Sequence, residues 1–266
     1  MLRKLLRYEI KATSRTFLPM YALLIVFALI NKFFMAVNSS YLKIPQAIAM
    51  SVFVFIIIGI CVMTLVVTIQ RFNKNLLTDE GYLSFTLPVR VHSHIDSKMI
   101  VTLMWSVLSV LVSLISIFVM SVNETTILSF QRFMNELMAA FSQIGPSGYV
   151  LILEAVLLVI FGILSSTVEI YAAITVGNMS SKHKLLTGIG AYLGFGVIQQ
   201  IIVSIILSSS DKSITRYFNL LETAGEFAQV QAAETVLLVL IAYMVIVGVA
   251  LYFFTEWMLR KKLNLE

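Results

Sequence analysis

Charge is what this chain lacks most. Asp, Glu, Lys and Arg together make up 12% of its 266 residues, against ~25% in an ordinary soluble domain. So few charges cannot cover a globule of this size with polar surface. Cysteine is nearly absent too: Cys61 stands alone in an apolar run, which excludes an intrachain disulfide framework. Four Pro and 12 Gly exclude a collagenous or Pro/Gly-rich disordered chain. No Gly-Lys dipeptide occurs, so the chain has no P-loop of its own. No nucleophile–base constellation appears in the apolar runs, and an enzyme is not expected. What the chain does have is hydrocarbon, with 59% hydrophobic residues and a mean hydropathy of +0.94. That composition implies an integral membrane protein.

A membrane-spanning helix needs ~20 mostly apolar residues, because its backbone polar groups must be satisfied within the segment. Six stretches qualify: Leu18–Val37, Ala47–Ile69, Met99–Val122, Val150–Val176, Leu185–Leu207 and Thr235–Trp257. The expected fold class is therefore all-α integral membrane, a single domain of six spans. The first stretch carries Pro19 near its start and Asn31-Lys32 near its end, where Lys32 can snorkel to the interface. It is long, begins after 17 residues and is followed by no A-x-A-like site, unlike a signal peptide.

Lys and Arg set the orientation. With the N-terminus inside, 14 of them fall on the inner segments and five (Lys32, Lys43, Arg132, Lys212 and Arg216) on the outer ones. The expected location is a bacterial plasma membrane with both termini cytoplasmic. The same bias accounts for the net charge of +5, and no stacking pattern points to nucleic acid. The partners implied by charge are anionic lipids.

The connections are unequal. The loop between spans two and three, 70–98, is the long inner one. The outer segments Asn123–Tyr149 and Ser208–Glu234 carry apolar residues at helical spacing: Ile127, Phe130, Met134, Leu137, Phe141 and Ile144 in the first, Ile214, Tyr217, Phe218 and Leu221 in the second. Both are expected to be amphipathic helices at the outer leaflet. Gly145-Pro146-Ser147-Gly148 should break the first before span four. Residues 1–17 are expected to form an interfacial helix. Leu2, Leu6, Ile10, Thr13 and Phe17 would face the acyl chains, and Arg3, Lys4, Arg7, Lys11 and Arg15 the anionic headgroups.

Few residues invite chemistry. Glu154 and Glu169 lie within span four, where an ionised side chain is costly and so a functional candidate. Glu154 reads either as an interface anchor or as a substrate contact, and Glu169 as a polar contact between helices. Thr102, Ser106, Ser109, Ser113 and Ser116 make one stripe along span three, either a helix seam or the lining of a translocation path. Gly188, Gly190, Gly194 and Gly196 cluster in span five, where Gly190 and Gly194 suit close helix packing. His92, His94 and Asp96 read as polar residues at the inner boundary; with His183 the only other histidine, no metal is expected.

The inner loop is the most informative segment. Thr78 can cap a short helix whose first turn holds Asp79 and Glu80, and Pro88 stops it. Tyr82, Leu83 and Phe85 then form an apolar knob that no core in this chain would cover, the mark of a docking element. Ser93 and Asp96 follow as a loose capping box expected to open span three.

The run Asp79-Glu80-Gly81-Tyr82-Leu83…Leu87-Pro88-Val89, followed by Lys98, resembles the acidic-Gly…Leu…Pro-Val…Lys signature of type-2 ABC exporter permeases. The basic start with Tyr8-Glu9-Ile10-Lys11-Ala12-Thr13, the six spans and the ending Lys261-Lys262-Leu263-Asn264-Leu265-Glu266 extend the resemblance. It is greatest to the small Gram-positive permeases, some of which export peptides or confer antibiotic or lantibiotic immunity. The resemblance implies that Thr78, Asp79, Glu80, Gly81, Tyr82, Leu83, Phe85 and Pro88 contact a separate ABC ATPase. It also implies a second permease subunit, identical or homologous, beside this one. This chain would need no cofactor, with ATP and Mg held by the partner ATPase. The competing expectations are a proton-coupled carrier using Glu154 or Glu169, and a membrane scaffold or sensor.

Overall fold

A computed structural model describes residues 2–37, 40–77, 91–180, 182–222 and 226–261. For 40, 124, 140, 141, 143, 144, 146, 209–222, 226, 227 and 261 it describes the backbone alone. The described residues are helical nearly throughout: α1 Leu2–Val37, α2 Lys43–Leu77, α3 Val91–Ser121, α4 Glu124–Ile144, α5 Pro146–Gly177, α6 Lys184–Glu222 and α7 Glu226–Lys261, with a 3-10 turn at Ser40–Leu42 before α2. All but α4 are long and apolar enough to cross a bilayer. Their large side chains point outward in numbers no soluble protein tolerates, as Ile205 (63% exposed), Val239 (62%) and Ile246 (68%) illustrate. The protein is an all-α, multi-pass membrane protein.

Several boundaries differ from the sequence reading. Residues 2–17 do not form a separate interfacial helix but continue directly into the first span. Pro19 is tolerated there because only the Arg15 carbonyl loses its donor. Leu6 and Ile10 pack on the protein core, and Thr13 and Phe17 are buried. From Leu6 to Phe17 that row therefore faces neighbouring helices rather than lipid. Arg3, Lys4, Arg7, Lys11 and Arg15 are exposed on the other side. α3 is already helical at Val91, so Ser93 and Asp96 lie inside it and do not cap it. α6 likewise runs through to Glu222, past the end of span five.

The helices divide into two compact units. The first contains α1, α2 as far as Lys74, α3, and α4 as far as Asn135. Its contacts fix the directions. The pairs Asn31–Ala49, Met20–Gly59 and Glu9–Arg71 run in opposite order along α1 and α2, which are antiparallel. Glu9–Lys98, Thr13–Trp105 and Tyr21–Ser109 advance together, so α1 and α3 are parallel. The core holds Phe17, Tyr21, Leu24 and Ala28 of α1, Phe53 and Ile60 of α2, and Val101 and Trp105 of α3. Trp105 is its centre: its ring stacks on Phe17 at 4.7 Å, and Nε1 donates to Thr13 Oγ1 at 2.7 Å.

The second unit contains the end of α2, α4 from Glu136, and α5, α6 and α7. Gly162 meets Met244, and Ser165 meets Gly248, so α5 and α7 are parallel and closely packed. α6 runs antiparallel to both, with Glu169–Gln199 on one side and Phe195–Phe254 on the other. The turn from α5 to α6 depends on Gly177. A Cβ there would lie 2.7 Å from the Lys184 carbonyl oxygen and 2.9 Å from the Gly188 Cα. At Gly190, Gly194 and Gly196 a Cβ would meet nothing within 4 Å. The close glycine packing is thus at Gly188 with Gly177, not at the Gly190/Gly194 pair.

Two local signals start helices as their chemistry requires. Asn123 Oδ1 accepts the Thr126 backbone N–H at 2.8 Å, capping α4. Gly145 has φ +70°, a conformation natural to glycine, and Pro146 follows in the first turn of α5.

Candidate functional site

The first unit carries a buried ionic cluster where α1, α2 and α3 meet. Glu9 is the one acidic residue of the basic α1 start, and it is 6% exposed. Lys98 Nζ donates to its Oε1 at 2.6 Å, and Arg71 Nη1 lies 3.5 Å from its Oε2. Lys98 is 4% exposed. Each carboxylate oxygen therefore has its own cation, one from each of the two other helices. An ion pair this deep is retained only when both charges are satisfied, since removing one partner costs ~3–5 kcal/mol.

The cluster continues upward as a hydrogen-bonded ladder. Thr13 donates to the Glu9 carbonyl at 2.8 Å and accepts from Trp105. Tyr21 OH and Ser109 Oγ share a hydrogen bond of 2.8 Å, and Thr64 lies 3.4 Å from the same serine. Thr68 donates to Thr102 at 3.5 Å. Below, buried His94 sits one turn before Lys98, with Ser97 bonded to its carbonyl. Helix α1 is thus polar-bonded to α3 at three levels, Glu9, Thr13 and Tyr21.

The serine stripe separates into different surroundings. Ser109 and Ser116 are buried, and Thr102, Ser106 and Ser113 are half-buried. Thr102 and Ser109 bond to helices of the same unit, which places them in a helix seam. Glu169 accepts from Gln199 Nε2 at 3.0 Å, and Gln199 Oε1 lies 3.4 Å from the Tyr243 hydroxyl. Glu154 is 4% exposed, and its Oε2 has no hydrogen-bond partner among the described residues. Thr78, Asp79, Glu80, Gly81, Tyr82, Leu83, Phe85 and Pro88 lie outside the described residues.

Sequence reasoning did not single out Arg71, Trp105, Gln199 or Tyr243. A usable signal existed for the first: an acidic residue on an otherwise basic helix needs a cationic partner when buried. For Gln199, its place in an apolar span was a comparable signal.

No family model, no curated protein and no solved structure matches the chain. Its class rests on its own features: a multi-pass membrane protein of two helical units.

Proposed function

We propose that the chain is the membrane-spanning permease subunit of an ATP-driven exporter of the type-2 ABC class. In this reading the substrate is a peptide, an antibiotic or another amphipathic molecule. The termini and the segment 78–90 face the cytoplasm, where 78–90 docks a separate ATPase.

The observation that supports the reading is the Glu9 cluster. Its two cations come from Arg71 and Lys98, on the helices that enter and leave the segment 78–90. A push on that segment would reach both helix ends. The buried ion pairs would pass it to α1, because breaking them costs more than moving the three helices together. Lys98 also belongs to the signature that carries the family resemblance, and Glu9 to the basic start that extends it.

The test is a mild-detergent pull-down of the tagged chain from its native membrane, with mass spectrometry and an ATPase assay. A P-loop ATPase that co-purifies, and is released when Asp79–Leu83 is deleted, supports the reading. A chain that comes out alone and without ATPase activity overturns it. In a transport assay, Gly81→Pro should abolish transport while leaving membrane insertion intact.

A further inference from the structure

We propose that Glu154 and Glu234 form a binding site for a cationic N–H group, an ammonium or a guanidinium, between α5 and α7. The two residues are the ninth of their respective helices. Their levels follow from the parallel packing. From the contact of Ser165 with Gly248, Glu154 lies roughly 16 Å back along α5 and Glu234 roughly 21 Å back along α7, at ~1.5 Å per residue. They are therefore about one helical turn or less apart in height.

Their faces follow as well. Glu154 and Ser165 are separated by about three full turns, which leaves them roughly 20° apart around α5. Glu234 and Gly248 are separated by about four, which leaves them roughly 40° apart around α7. Since Ser165 and Gly248 touch, both carboxyl groups lie on the mutually facing sides of the two helices.

The second observation is what these groups lack. Glu154 is 4% exposed, yet its Oε2, like Oε1 of Glu234, is sealed from solvent with no hydrogen-bond partner among the described residues. Taking a carboxyl oxygen out of water without giving it a hydrogen-bond partner is unfavourable. Both residues lie beyond the first turn, where a helix dipole would compensate them. α5 has no Lys or Arg, and those of α7 are Arg260 and Lys261 at its other end. The site is acidic and without a cation of its own on either helix.

The ligand chemistry follows from the donor set. Calcium and magnesium take about six or more oxygens, zinc about four N, S or O ligands, and no group of three or more His, Cys, Asp or Glu side chains is assembled among the described residues. Two carboxylates on opposing helices instead match an ammonium with three donors or a guanidinium with five. As a contact for the basic group of a transported substrate, the site rests on the permease reading. As a cation site it does not.

The experiment uses the purified full chain in neutral detergent, without ATP or any ATPase, so its outcome is independent of the pull-down. Spermidine is the probe, and tetramethylammonium, a cation with no N–H, is the control. Spermidine should raise the thermal midpoint of the wild type, and tetramethylammonium should not. Glu154→Gln and Glu234→Gln should each weaken the response about tenfold, the loss of one charge-assisted hydrogen bond. The double variant should not respond. Without probe, each Gln variant should be about as stable as wild type, because the amide has the shape of the carboxyl group and the orphaned oxygen has no partner to lose. The proposal is overturned if spermidine acts equally on the double variant, if it has no effect on the wild type, or if tetramethylammonium matches it. It is also overturned if Mg2+ alone stabilises the wild type, or if either Gln variant is less stable.

Discussion

Lys98 donates to Glu9 at 2.6 Å across 89 positions of sequence, and both side chains are almost wholly buried. The pair joins the first helix to the third. With Arg71 it makes the only three-helix ionic contact among the described residues. Its strength is conditional, because each charge is tolerated only while the other is present.

Glu9→Gln should therefore destabilise the first unit by about 3 kcal/mol, and Lys98→Met by a similar amount. The double variant Glu9→Met/Lys98→Met should recover most of that loss, since an apolar pair of similar volume incurs no desolvation cost. Reversible unfolding in mixed micelles would measure all three. A double variant as unstable as the sum of the singles would show that the pair is not coupled.

Trp105 should matter through its ring more than through its N–H. Trp105→Ala removes the stack on Phe17 and leaves a cavity in the core, for about 3–5 kcal/mol. Trp105→Phe keeps an aromatic ring and loses the bond to Thr13, for about 1 kcal/mol. The same unfolding measurement ranks them, and equal losses would mean that the stack contributes little.

Gly177→Ala should disrupt the turn between α5 and α6. The new methyl would meet two backbone atoms closer than 3 Å, and backbone cannot yield as a flexible side chain does. Gly194→Ala, with open space around it, is the matched control. Limited proteolysis of the two variants should show faster cleavage near residue 180 in Gly177→Ala alone.

Glu169→Gln should be tolerated, because a glutamine carbonyl can still accept from Gln199. Glu169→Leu should cost about 1–3 kcal/mol by stranding the Gln199 amide. Thermal midpoints in detergent would separate the two. A Gln variant as damaged as the Leu variant would show that the charge itself is needed there.

The six spans, the break at Gly145-Pro146 and the helical character of the segment after Asn123 were legible from composition and punctuation. Length and hydrophobicity decide membrane crossing locally, residue by residue. The same local logic misplaced the first helix. Its apolar row and its basic row have the spacing of an interfacial helix, and only the presence of α3 turns Thr13 and Phe17 toward protein. Gly190 and Gly194 meet no other helix of this chain among the described residues. Small-residue spacing permits close approach but does not supply a neighbour, and the neighbour is at Gly188.

By itself, the sequence determined the class of this protein, an all-α chain with six membrane-crossing segments. That outcome depends on the transfer of each segment's own side chains and backbone out of water. The tertiary structure alone decided which polar groups meet: Glu9 with Lys98 and Arg71, and Glu169 with Gln199. Such pairings depend on the register and direction of helices far apart in the chain. Those are settled by packing, which no local pattern encodes.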